Sequence, residues 1–160
     1  MNILAIDPGI EKVGYSIFQK KPTKGPYRYI ISGIIRTNKN SPLHERLQLI
    51  YNKLDKLVEK YSPKIMVIEQ IFFFKNAKTI VAVAQSQGVA LLLAAQKKIA
   101  VVSLTPLQIK QSVTGYGNAD KQAVQKMLRL QLDKQIQFID DDESDAIAGG
   151  LAYCLLQSAL

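Results

Sequence analysis

Four acidic residues are spaced so that they could act together. Asp7 directly follows the apolar run Ile3-Leu4-Ala5-Ile6, and Glu69 follows Ile65-Met66-Val67-Ile68. Each run has the length and unbroken apolar character of a strand buried on both faces. A carboxylate at the tip of such a strand carries a desolvation cost unless it is paired or bound to a metal. The alternative is local pairing, with Glu11 and Lys12 supplying a salt bridge or a turn cap. Asp142-Glu143-Ser144-Asp145 adds two more acids at i and i+3, the spacing that places Asp142 and Asp145 on one helix face. Acids at a helix start are also favoured simply as caps and by the helix dipole. Spacing does not separate Asp142 from Asp141, which stands four residues before Asp145.

Four converging carboxylates without His or Cys suit hard, oxygen-seeking cations, Mg²⁺ or Mn²⁺. Two such ions per subunit, about 3.5–4 Å apart, clamp the attacking and leaving oxygens of a phosphodiester displacement. A metal-activated water then replaces a protein nucleophile. The charge distribution fits a polyanionic substrate. The chain of 160 residues has 21 Lys and Arg against 13 Asp and Glu, net +8, and five of those acids fall between Asp140 and Asp145. A basic body with one concentrated acidic site points to a nucleic-acid binder that carries a metal site.

The elements that must position these acids read as one α/β domain over residues 1–160. Ile3 to Ile6, Val13 to Phe18 and Tyr27 to Arg36 read as an antiparallel strand meander. Ser41-Pro42 reads as an N-cap and first-turn proline. Leu43, Leu47, Ile50, Leu54 and Leu57 continue from there as an amphipathic helical stripe. Ile65 to Ile68 is a fourth strand, Ala77 to Gln96 a long helix and Ile99 to Leu104 a fifth strand. Thr105-Pro106 caps a short helix, Gly115-Tyr116-Gly117-Asn118 breaks it, and helices follow over about Asp120 to Leu130 and Asp142 to Gln157. Strands followed by strand–helix alternation predict a mixed sheet with helices on its faces. Gly149 and Ala152 continue the face of Asp145, small enough for that helix to lie close to the sheet. The single Cys154 excludes a disulfide framework and reads as a small core residue. No apolar run reaches membrane-spanning length, and Met1-Asn2-Ile3 lacks a basic leader, so a cytoplasmic protein with no membrane partner is expected.

The motifs resemble those of a known family. Asp7-Pro8-Gly9 with Gly14-Tyr15, Ile68-Glu69-Gln70 with Phe72 and Lys75-Asn76-Ala77, Lys110-Gln111 through Gly115-Tyr116-Gly117 to Lys121, and Asp142-x-x-Asp145-Ala146 occur in family order. Together they resemble RuvC, the bacterial Holliday-junction resolvases, over nearly the whole chain. The resemblance implies an RNase H-like fold with a five-stranded mixed sheet, order 3-2-1-4-5, and helices on both faces. It implies a Mg²⁺-dependent homodimeric endonuclease that cuts four-way junctions to leave ligatable nicks, partnered by the RuvA–RuvB branch-migration complex. Carried over by position, the catalytic and metal-holding acids are Asp7, Glu69, Asp142 and Asp145. The family allows His at the position of Asp142, and the resemblance selects Asp142 over Asp141.

The DNA contacts expected are Phe72, Lys75, Lys110 and Lys121. Three successive aromatics, Phe72 to Phe74, cannot all face one core, and an exposed one beside the acids can stack on or wedge between bases. Lys110 and Lys121 flank one Gly-rich hairpin turn and can neutralise phosphates, as can Lys78, Lys126 and Arg129. His44, on the amphipathic helix, reads as structural. The helix from Ala77 to Gln96 is apolar nearly all round, which predicts a surface shared with a second copy. Competing readings are a sugar or acetate kinase, which shares a strand-end Asp-x-Gly but needs two domains, a YqgF-like nuclease acting on RNA, and a junction-binding module with merely structural acids.

Overall fold

The computed structural model describes residues 1–20, 27–71, 77–132 and 136–158, and of 77–79 the backbone only. Phe72 and Lys75, expected to touch DNA, lie outside the described residues, as does the side chain of Lys78.

Five strands form one sheet. β1 (Asn2–Asp7), β2 (Lys12–Gln19) and β3 (Arg28–Arg36) run antiparallel as a meander, and β4 (Ile65–Glu69) and β5 (Ala100–Leu104) join parallel to β1, giving the order β3-β2-β1-β4-β5. The two connections between these strands are too short for the crossover that a parallel pair needs, so antiparallel pairing is the geometry open to them. The parallel pairs require crossovers, supplied by α1 (Leu43–Tyr61) and α2 (Ala77–Gln96). β1 alternates its side chains between two cores, as a central strand must. Leu4 and Ile6 pack with Ile50, Leu54 and Val58 of α1 and with Leu93 of α2. Ile3 and Ala5 pack on the other face with α3 (Pro106–Thr114), α4 (Lys121–Gln131) and α5 (Asp141–Ser158). Among the described residues no helix is long and apolar enough to cross a membrane.

Two local expectations change. Pro42, not Ser41, takes the cap position of α1, and its carbonyl accepts the Glu45 and Arg46 N–H groups at 3.1 and 3.2 Å without any side-chain cap. Proline fixes the backbone where the helix starts, which makes a hydroxyl cap dispensable there. The residue that brings α5 onto the sheet is Gly150 rather than Gly149. A Cβ on Gly150 would lie 2.5 Å from the Phe18 ring, whereas one on Gly149 would meet only Ile109 of α3 at 3.9 Å. The Ser16 hydroxyl donates to the Ala146 carbonyl at 2.8 Å and completes this contact. Cys154 is buried in the core, as its setting in an apolar helix implies.

Candidate active site

β1 and β4 run parallel in adjacent positions, with Ile6 opposite Ile68, so Asp7 and Glu69 emerge side by side at the same end of the sheet. Two helices close over them. α5 crosses β2 and β1 with its first turn directly above Gly14, which is paired with Asp7 across the strands. A Cβ on Gly14 would stand 1.9 Å from the Asp142 carbonyl oxygen, so the missing side chain is what lets the α5 backbone descend to the acids. From the other side, the α3–α4 hairpin brings Lys110 and Lys121 to a cleft of about 300 Å³ that Glu69 and Asp145 also line.

The four expected acids feel one another. Burial, then the charges of Glu69, Asp145 and Asp142, push Asp7 up from 3.8 to about 8, with Lys121 opposing. Burial and Asp145 push Glu69 up to about 7 against the pull of Lys110 and Lys121. Burial also raises Asp145, outweighing Lys121. Asp142 is raised by burial and by its neighbour Asp140. The Lys121 ammonium lies 3.1 Å from Asp145 and 3.3 Å from Asp141. Burial pulls Lys121 down, but those two carboxylates outweigh it and hold its pKa above the ordinary lysine value. Lys121 and Lys110 thus supply positive charge to Glu69 and Asp145, with Lys121 also acting on Asp7.

The acids that flank the four hold the helix in place. Asp140 pairs with Lys12 at 2.6 Å and with Arg36 at 2.9 Å, which are themselves paired across β2 and β3. Lys12 therefore serves Asp140 and not Asp7. Glu143 is buried, only 4% exposed, where its carboxylate accepts from the Ser32 hydroxyl and, at 2.8 Å, from the Ile139 N–H. Both contacts bind the first turn of α5 to β3 and to its own entry loop. Sequence reasoning missed these roles because Lys12, Ser32 and Arg36 lie more than 100 residues before their partners, and no local pattern marks them. Asp141, by contrast, is exposed, and Asp142 is half-buried.

The donor set suits a hard divalent cation: carboxylates alone, crowded enough that Asp7 keeps its proton near neutrality. Among the described residues no three of His, Cys, Asp and Glu are arranged to hold a metal ion as they stand. The fit is therefore one of chemistry and charge.

The crowding has a measurable consequence. An unfolded Asp7 releases its proton near pH 4, and a folded one releases it near pH 8. Between those values the folded chain binds more protons, so stability is full below about pH 4 and falls as pH rises towards 8. Glu69 acts the same way over a narrower window, up to about 7. In EDTA the stability should fall between about pH 4 and 8 by on the order of a few kcal/mol, and the melting temperature with it. Mg²⁺, which favours the ionised acids, should restore it most above pH 7. A melting temperature flat with pH in EDTA would contradict the clustering of these carboxylates.

Sheet order 3-2-1-4-5, the parallel crossovers, and acids gathered at the ends of β1 and β4 and on the first turn of α5 define the RNase H-like fold class. The family model for crossover junction endodeoxyribonuclease RuvC matches residues 3–154. The chain is 42% identical over 148 residues to the RuvC of Fusobacterium nucleatum, covering 92% of this chain and 77% of that one. It is 39% identical over 155 residues to the RuvC of Thermosipho melanesiensis, covering 97% and 96%. The fold matches that of T. thermophilus RuvC solved in complex with a Holliday junction substrate, with a TM-score of 0.90, 24% identity and 99% and 96% of the two chains covered. The chain belongs to the RuvC family of crossover junction endodeoxyribonucleases.

Proposed function

We propose that residues 1–160 act as one nuclease domain that resolves four-way DNA junctions, with Asp7, Glu69, Asp142 and Asp145 as the catalytic acids. The observation that carries this reading is the convergence of the strand-end acids Asp7 and Glu69 with Asp145 of α5, in a cleft that Lys110 and Lys121 also line, in a chain of this family. Asp7, Glu69, Asp142 and Asp145 would hold Mg²⁺, or Mn²⁺ in its place, two ions per subunit. When bound, such ions lower the pKa of an attacking water and stabilise the charge that develops on the phosphate. The chain's own residues do the rest. The rigid strand ends fix Asp7 and Glu69, the close approach of α5 at Gly14 fixes Asp142, and the Lys12–Asp140–Arg36 cluster anchors that turn. Lys110 and Lys121 flank the cleft and neutralise phosphates of the strand being cut. Phe72 and Lys75, three and six residues beyond Glu69 in the chain, contact DNA, Phe72 as a wedge against unpaired bases.

Resolution needs two cuts related by symmetry, and two identical sites on a two-fold axis supply them. α2 offers a surface for the dimer. Ala90, Leu93 and Ala94 face the core, while Val81, Leu91 and Leu92 stay 61, 42 and 55% exposed in the single chain. Sedimentation at micromolar concentration should give about 36 kDa, twice the 17.8 kDa chain mass. A monomer at that concentration would remove the basis for paired cutting. The setting proposed is the cytoplasm, with the RuvA–RuvB branch-migration complex as partner.

The test compares a four-way junction, a linear duplex of the same sequence and a structured RNA, each in Mg²⁺ and in EDTA. Cleavage of the junction alone, in Mg²⁺ alone, is expected. Preferential cutting of the RNA would favour the ribonuclease reading, and tight junction binding without cutting would favour a binding module.

A further inference from the structure

The α3–α4 hairpin ends in a turn that presents one large side chain to solvent. Tyr116 is 63% exposed, and among the described residues no partner bonds its hydroxyl. A loose exposed tyrosine on a flexible loop would mean little, but this turn is held from several sides. Gly115 closes α3 at φ 79°, a left-handed conformation suited to glycine, and its N–H donates to the Gln111 carbonyl at 2.9 Å. The Gln111 side-chain amide reaches back to the Gly115 carbonyl at 2.8 Å. The Thr114 hydroxyl donates to the Lys110 carbonyl at 2.8 Å and accepts the Tyr116 N–H at 3.0 Å. The Tyr116 carbonyl accepts the Ala119 N–H at 3.1 Å. Thus the backbone on both sides of Tyr116 is fixed while its ring is left bare.

The location of the ring matters as much. Lys110, whose carbonyl anchors Thr114, and Lys121, five residues beyond Tyr116, both line the cleft with Glu69 and Asp145. Five residues reach at most about 17 Å, or roughly five nucleotides along a DNA strand. The Tyr116 backbone therefore lies no farther from Lys121 than about five nucleotides of a strand held against the two lysines would span. An aromatic on a pre-ordered turn binds a flat partner without the entropy loss of ordering a loop.

Resting on the junction-resolving reading above, we propose that Tyr116 is a DNA-contacting residue that stacks on the face of a nucleobase exposed near the junction. The ligand is a nucleobase because bases present a π-face to aromatic side chains whatever their sequence.

The experiment uses the full chain and its Tyr116→Ala and Tyr116→Phe variants, with a four-way junction carrying 2-aminopurine at successive positions near the crossover. Affinity, its salt dependence, base fluorescence and melting temperature are read together. Tyr116→Ala should bind the junction about 5- to 150-fold more weakly, the range of a lost base–aromatic stack. It should keep the wild-type melting temperature and salt slope, since a bare ring supports neither the core nor phosphate contacts. Wild type should change the fluorescence at one or two positions, Tyr116→Phe should do the same, and Tyr116→Ala should not. Wild-type affinity in Tyr116→Ala would overturn the proposal. So would a loss shared equally by Tyr116→Phe, which would assign the effect to the hydroxyl, or a large fall in melting temperature, which would make the ring structural. Wild type failing to prefer the junction over duplex would instead sink the reading on which the proposal rests.

Discussion

Asp7→Asn should abolish cleavage of a four-way junction in Mg²⁺ and leave binding of the junction intact. The substitution keeps the shape of the side chain and removes its charge. Loss of an outer-shell partner at a metal site commonly costs 10- to 100-fold, so loss of a direct acid should exceed about 100-fold. Binding rests on lysines and on the exposed surface, and removing a negative charge from the DNA-facing cleft does not weaken it. Stability gives an independent check. Asp7 in the metal-free chain is already largely protonated at pH 7, its pKa being about 8. Asparagine therefore costs little at neutral pH, and above pH 8 without metal the variant should melt higher than wild type. Glu69→Gln and Asp145→Asn should lose activity in the same way. Near-wild-type cleavage by Asp7→Asn would remove Asp7 from the site.

Gly14→Ala should be almost as damaging, though Gly14 carries no chemistry. The added methyl would lie 1.9 Å from the Asp142 carbonyl oxygen and 3.2 Å from the Ala146 methyl. The first contact is with backbone, which cannot rotate away, so the first turn of α5 must lift off the sheet. Asp142 and Asp145 move with it, away from Asp7 and Glu69. Displacement of a catalytic group by about 1 Å can cost around 100-fold in rate. The strain itself should cost about 1–3 kcal/mol, lowering the melting temperature by roughly 2–12 °C. At a temperature where the variant is fully folded, its kcat should still be down by that factor with junction affinity retained. Full activity in folded Gly14→Ala would show that the close approach of α5 is not needed to place the acids.

What could be read from the sequence follows from where the information lies. Asp7 and Glu69 were legible because each ends a run of four apolar residues, and such runs specify buried strands without reference to anything distant. The pairing of those strands then follows from the helical crossover between them. The acids of α5 were only half legible, because i and i+3 spacing fits both Asp142–Asp145 and a plain helix cap, and Asp141 competes. Their separation depends on Gly14, 128 positions before Asp142 in the chain, and on the β1–β2 register that sets it opposite Asp7. The burial of Glu143 was not legible at all. An acid in a first helical turn ordinarily faces water, and only the packing of that turn against Ser32 of β3 encloses it. The exchange of Gly149 for Gly150 has the same origin: both are small, and a rotation of one residue about the helix decides which meets Phe18. Local pattern thus specified elements and strand-end acids, while the contacts that hold α5 over them arise between segments remote in sequence.

The most direct test is whether the protein makes two symmetric cuts in a junction within one binding event, and only with a divalent cation. A supercoiled plasmid that extrudes a cruciform reports this, because two cuts made before release yield linear DNA and a single cut yields a nicked circle. The account predicts linear product in Mg²⁺ with wild type, none in EDTA, and none with Asp7→Asn. Nicked circles as the sole product, or linear product in EDTA, would contradict it.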